Sequence, residues 1–243
     1  MVRSLVDCNG YDEPDFCCRM DEELFPLLDG IPVIGPGRYT SRSIRDAWRR
    51  RVQQGLPWGQ TGGHADTTEA IDRTLAIVVR YAFDPARIAS AVAGNTVITH
   101  ADDTIVSLTV AFCAVLSLLV QGHALGKKLS MKLMEPVHSG ELPFHAVARE
   151  DLQPPRPGDP DPPRAGRFAS PDALLSLSYM AEAAADPDIR IEPANQARSI
   201  LTGALTVAQT GLSGIPQRFI DGLEQAAAMS KLAMDLASKV GSA

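Results

Sequence analysis

The chain is short of the residues that build specialised scaffolds. Aromatic side chains are only 5% of its 243 residues, too few for a platform on which bases stack. Its four cysteines, Cys8, Cys17, Cys18 and Cys113, contain no CxxC pair. Neither a zinc ribbon nor a redox couple is signalled, and reduced thiols in a cytoplasmic protein are expected. Positive charge is also scarce: the formal net charge is −6 and the pI about 5.4. That balance excludes a general binder of phosphate backbones, so no nucleic-acid partner is expected. Met1–Tyr11 lacks the apolar stretch of ~7–15 residues of a secretory signal. There is no GxSxG, no GxxxxGK[ST] and no GxGxxG after a strand.

Long apolar runs are rare too. Ile105–Val120 carries no charge over sixteen residues, where a spanning helix needs about 20. It is read as a buried central helix, with no membrane partner. No stretch alternates at period two, so strands are not expected, and the fold class is all-α, a compact multi-helix bundle of roughly seven helices. One domain over 1–243 is expected. It includes an irregular N-terminal segment, 1–39, rich in acidic residues, proline and glycine. It also includes a proline-rich loop, 153–167, with six prolines that lack the donor of a helix or ladder.

Helix signals stand between these breaks. Thr40 or Ser41 is placed to cap a helix carrying Ile44, Ala47, Trp48 and Val52, with Arg42, Arg45 and Arg49 on its other faces. Those arginines are read as a solvated face, with an anion grip as the alternative. Thr67–Ala82 is amphipathic, with Ile71, Leu75, Val78, Val79 and Ala82 on one side. Asp84-Pro85 opens the next helix. Ser170–Ala185 is a further helix. A small-residue stripe, Ala197, Leu201, Ala204, Ala208 and Gly211, invites close approach of a neighbour. A last helix is expected over 217–240, after Pro216.

Two stretches echo each other. Gly62-Gly63-His64-Ala65-Asp66-Thr67-Thr68 and Thr99-His100-Ala101-Asp102-Asp103-Thr104 each set a carboxylate and a hydroxyl before a long helix. Asp and Thr are hard oxygen ligands suited to magnesium or calcium, and they are equally good helix caps. His64 and His100 are candidates to bond a phosphate or to orient a carboxylate, or are plain surface and capping residues. Glu141, between His138 and His145, is a general-base candidate only if a metal-bound water lies in reach.

The segments QTGGHADTTEA (60–70), DPARIASAV (84–92), NTVITHADDT (95–104) and GALTVAQTGLSGIPQRFIDGL (203–223) resemble the ADP-ribosylglycohydrolase family. That resemblance implies an all-α fold in which two magnesium ions serve to hydrolyse the bond between ADP-ribose and a modified residue. It implies Asp66, Asp102 and Asp103 as metal ligands, and His64, His100 and Thr104 as contacts to ADP-ribose or an ADP-ribosylated substrate. Ala101-Asp102-Asp103-Thr104 is similar to the family's Thr-Asp-Asp-Thr run, and His64-Ala65-Asp66-Thr67 to its Asp-x-Asp-Thr run, in reversed chain order. A second alignment in chain order makes both stretches the family's middle region, which lines the cleft without the principal ligands. The alternative function is therefore a catalytically inactive protein of this fold that binds ligands or serves a structural role.

Overall fold

The computed structural model describes residues 1–28, 41–64, 69–124, 129 and 193–241. The proline-rich loop, the helix expected over 170–185, His138, Glu141 and His145 lie outside the described residues. The chain is all-α: the described residues contain helices and turns and no strand, only one isolated bridge. The helices are α1 (Val2–Asp7), α2 (Glu13–Arg19), α3 (Arg42–Trp48), α4 (Glu69–Arg80), α5 (Pro85–Val97), α6 (Asp103–Val120), α7 (Pro193–Thr210), α8 (Gln217–Asp221) and α9 (Ala226–Ala237).

The core is built on α6. Its apolar sequence is buried nearly all round, with Phe112, Cys113 and Val115 at 0% exposure. Each such side chain contributes about 1.5–3 kcal/mol on leaving water, which sets α6 in the interior. Its buried polar residues are satisfied within the helix: Thr109 Oγ1 donates to Ile105 O and Ser117 Oγ to Ala114 O. Among the described residues no helix is long and apolar enough to cross a membrane.

Helices α4 and α5 pack against α6 and against each other, α7 lies on α6 and α4, and α1 and α9 close over α4. Asp84 caps α5 by accepting from the Arg87 amide, with Pro85 in the first turn. On α7, Leu201 and Leu205 are buried while Ala204 and Ala208 pack at the core's edge. Because α4 is covered from several sides, its buried face is Ala70, Ile71, Thr74, Ile77, Val78 and Arg80. Leu75 and Val79, expected inside, are only partly buried.

Residues 1–28 are not irregular, as expected from composition, but helical. Asp12 caps α2 by accepting from the Asp15 amide, Pro14 sits in the first turn, and Arg19 bridges Asp15 and Asp7. Of the apolar residues there, Leu5 joins the main core, while Phe16, Cys17, Met20 and Phe25 bury together against Ala47 and Ile98 in a second, smaller cluster. A second correction concerns Val52. A π-helical turn over Arg49–Gln53 follows α3, and the wider turn rotates Val52 outward to 52% exposure. The expected helix over 217–240 is broken into α8 and α9 at Gly222–Gln225, where Gln225 adopts φ 64°.

Candidate functional site

The two echoing stretches meet. The amide of Gly63 donates to Thr99 O at 3.0 Å, and the amide of Ala101 donates to Gly63 O at 2.8 Å, forming a parallel bridge between Gly63 and His100. Thr61 Oγ1 anchors the same strap to Ile98 O at 2.8 Å, and Arg50 Nη1 donates to Gly62 O. Close approach explains the glycine at 62: a Cβ there would lie 2.5 Å from Val97 O and 3.1 Å from Ala101 N. The glycine pair thus serves backbone contact between two loops. Gly63 also faces α3, with Asp46 Cβ 3.7 Å from where its own Cβ would stand.

Beyond the bridge each stretch runs to its helix. Asp102 starts α6, accepting from Ile105 N through Oδ1 at 3.2 Å and from Val106 N through its carbonyl at 3.0 Å. It is half-buried, while Asp103 beside it is exposed. Thr104 is the second residue of α6, and its side chain is outside the described set. His64, next to the bridge, is exposed. Asp66 lies outside the described residues, three positions past Gly63. His100 is at 0% exposure, with Nδ1 2.8 Å from Thr99 Oγ1.

Around this strap sit charged groups that no sequence motif marks. Glu69, at the start of α4, accepts from the amides of Arg42 and Ser43 at 3.1 and 2.9 Å and so holds the start of α3 to the site. One turn on, Arg73 donates from Nε to Asn95 Oδ1 at 2.7 Å. Its Nη2 donates to Asn95 O at 2.9 Å and to Thr99 Oγ1 at 2.7 Å. Asn95 Nδ2 donates in turn to the Tyr11 hydroxyl at 3.4 Å. The signal for Arg73 was faint. It is one arginine on an amphipathic helix, and its inward face shows only once the partners of α4 are known.

The electrostatics follow from burial. Burial, then the Arg73 charge, drives His100 down to about 4 against the pull of Glu69 and Asp102, so the ring is neutral near pH 7. Burial likewise lowers Arg73 to about 10, still cationic, with Tyr11, Asp72 and Glu69 acting the other way. Asp72 is exposed over much of its surface, yet the protein around its carboxyl, with Glu69 nearby, lifts it to about 6. Among the described residues no three His, Cys, Asp or Glu side chains group closely enough to hold a metal ion. What the described site offers is a pair of carboxylates at the start of α6, an exposed imidazole one residue past the bridge at Gly63, and the bridged strap that joins the two stretches.

A sequence model of the family described as ADP-ribosylglycohydrolase matches residues 1–243, the whole chain. No curated protein matches it.

Proposed function

This chain belongs to the ADP-ribosylglycohydrolase family, and from that premise we propose that it is an active, magnesium-dependent hydrolase of the glycosidic bond between ADP-ribose and a modified residue. The observation that carries the reading is the Gly63–His100 bridge. It ties the segment leading to Asp66 and the segment leading to Asp102 to one anchored point, as a site shared between them requires.

The donor chemistry fits a hard cation. Asp102 and Asp103 place two carboxylates at one helix start, and an octahedral magnesium ion accepts one or two carboxylates while keeping several waters. Asp66 is the further ligand that the family resemblance assigns, with Thr104 as a contact to the substrate. Held by these aspartates, the ions would supply polarisation of ribose hydroxyls and a more acidic water. The chain's own part is positional. Asp102 fixes the first turn of α6 through its two hydrogen bonds, so the carboxylates are presented from a rigid element. His64, exposed beside the bridge, contacts the substrate, and the neutral His100 orients the strap from beneath. Four free thiols, Cys8, Cys17, Cys18 and Cys113, fit a reducing compartment, and we place the protein in the cytoplasm.

The helix-capping bond of Asp102 favours a second reading, in which the aspartates serve the fold and the protein binds without cleaving. Thermal-shift titration with ADP-ribose, with magnesium and with chelator, separates the two. Ligand at 100 times its dissociation constant stabilises the native state by about 2.7 kcal/mol. The hydrolase predicts a magnesium-dependent shift, release of ADP-ribose from ADP-ribosylated peptides, and loss of both in Asp103→Asn. A shift indifferent to magnesium with no release establishes the binding protein, and no shift with no release refutes both.

A further inference from the structure

Arg73 is a half-buried residue whose guanidinium is enclosed, and its hydrogen-bond acceptors among the described residues are all neutral. Asn95 Oδ1, Asn95 O and Thr99 Oγ1 accept from Nε and Nη2, while Nη1 is buried with no hydrogen-bond partner among the described residues. Burying a guanidinium on neutral acceptors is unfavourable against leaving it in water. The return is geometric: the rigid fork spans the last full turn of α5 and the strap that follows it, fixing one against the other.

The fork also decides a proton. A threonine hydroxyl has one hydrogen to give and two lone pairs to receive. Arg73 Nη2 occupies one lone pair of Thr99 Oγ1 and, as a cation, turns the hydroxyl hydrogen away from itself. The other polar atom in reach is Nδ1 of His100 at 2.8 Å. With the hydroxyl hydrogen directed there, Nδ1 is an acceptor and the single proton of the neutral ring stands on Nε2. The opposite tautomer would aim a second N–H at an oxygen already receiving one from a guanidinium. Among the described residues the charged groups acting on the ring are Arg73 from α4, Glu69 at the start of α4, and Asp102 at the start of α6.

We propose that Arg73 is the positioning residue of this site: through Asn95 and Thr99 it clamps the strap that Gly63 bridges, and through Thr99 it fixes His100 as the Nε2–H tautomer. Only its consequence for ligand binding rests on the hydrolase reading. The test uses the full chain, 15N-labelled, at one neutral pH in chelator. Histidine ring nitrogens are read by long-range proton–nitrogen correlation, with the His100 signals assigned by their loss in His100→Gln.

The wild type is expected to show a protonated Nε2 and a bare Nδ1. Arg73→Met, which removes the cation and keeps the bulk, is expected to shift the ring to a tautomer mixture, as is Thr99→Val, whereas Thr99→Ser retains the wild-type pattern. A residue that merely filled space would leave the pattern unmoved. A wild-type ring protonated at Nδ1, or a folded Arg73→Met with the wild-type pattern, overturns the proposal. If Arg73→Met does not fold, the wild-type tautomer and Arg73→Lys decide. Lysine offers one point donor in place of the fork, and ADP-ribose affinity in magnesium is expected to fall tenfold or more, the usual effect of disturbing a residue that orients a site. Unchanged affinity in Arg73→Lys overturns the clamp. A wild type that binds no ADP-ribose refutes the hydrolase reading, while the ring tautomer still decides the relay.

Discussion

Acidification should destabilise this protein through one residue, by an amount that can be worked out in advance. His100 is fully buried, and its imidazole is held down at about 4 against an ordinary 6.5. Well above pH 6.5 the ring is neutral in both the folded and unfolded chain and adds no pH dependence. Below that, the unfolded chain takes up a proton that the folded chain refuses until the pH approaches 4. Stability is therefore lost as pH falls through this window and the loss levels off below it. For these two values the loss between pH 7 and pH 5 is about 2 kcal/mol, approaching about 3 kcal/mol in full. The assay is urea unfolding of wild type and His100→Gln at pH 7 and pH 5 in chelator, with linear extrapolation. Other titrating groups contribute to both proteins and cancel in the double difference. The wild type should lose about 2 kcal/mol more than the variant over this step. Equal pH slopes in the two proteins would refute the assignment of a buried neutral ring.

Three further outcomes follow from named contacts. Gly62→Ala drives a Cβ to 2.5 Å from Val97 O and must push the two loops apart. A loss of about 1–3 kcal/mol in urea unfolding is expected, the range for forced overpacking, with any ADP-ribose shift weakened alongside. Gly203→Ala, within α7, meets nothing within 4 Å and should stabilise by about 0.5–1 kcal/mol, read by the same unfolding curves. Cys8 and Cys18 are exposed, whereas Cys17 and Cys113 are buried with thiols pushed up to about 12. A disulfide reagent at pH 8 should modify two thiols quickly and four only in denaturant, and fast reaction of four in the native protein would contradict the packing of α2 and α6.

The elements that sequence made legible are those where one local cause dominates. Asp84-Pro85 starts α5 because a cap and a fixed φ act in the same place. Ile105–Val120 is a central helix because a charge-free run of that length has nowhere else to go in a folded chain. Legibility fails where the deciding contact is distant. In residues 1–28 seven acidic side chains and two prolines break up the apolar positions, and composition reads as loop. The fold is set instead by Phe16, Cys17, Met20 and Phe25 meeting Ala47 and Ile98. Val52 fits a helical repeat from Ile44, yet a π-turn between them moves it out of register, and no residue in Arg49–Gln53 announces that turn.

The candidate site divides along the same line. Its polar endpoints were visible as two echoing runs, because aspartate and threonine before a helix are informative whether they cap or ligate. What joins the runs was not visible, because backbone bridging at Gly63 and His100 leaves no side-chain signature except the glycines that permit it. The charge that stiffens the joint was hidden for a different reason. A guanidinium enclosed among neutral acceptors is unfavourable by its local surroundings, and the sequence by itself assigns such a residue to solvent. Its placement becomes intelligible only when Asn95, Thr99 and His100 are seen to need a donor that can serve a backbone carbonyl, an amide and a hydroxyl at once. A lysine has donors enough but not the planar spread to reach all three acceptors from one stem, and a glutamine carries the spread without the charge that turns the Thr99 hydroxyl. The same residue that a composition count places on the surface is therefore the one on which the geometry of the strap turns.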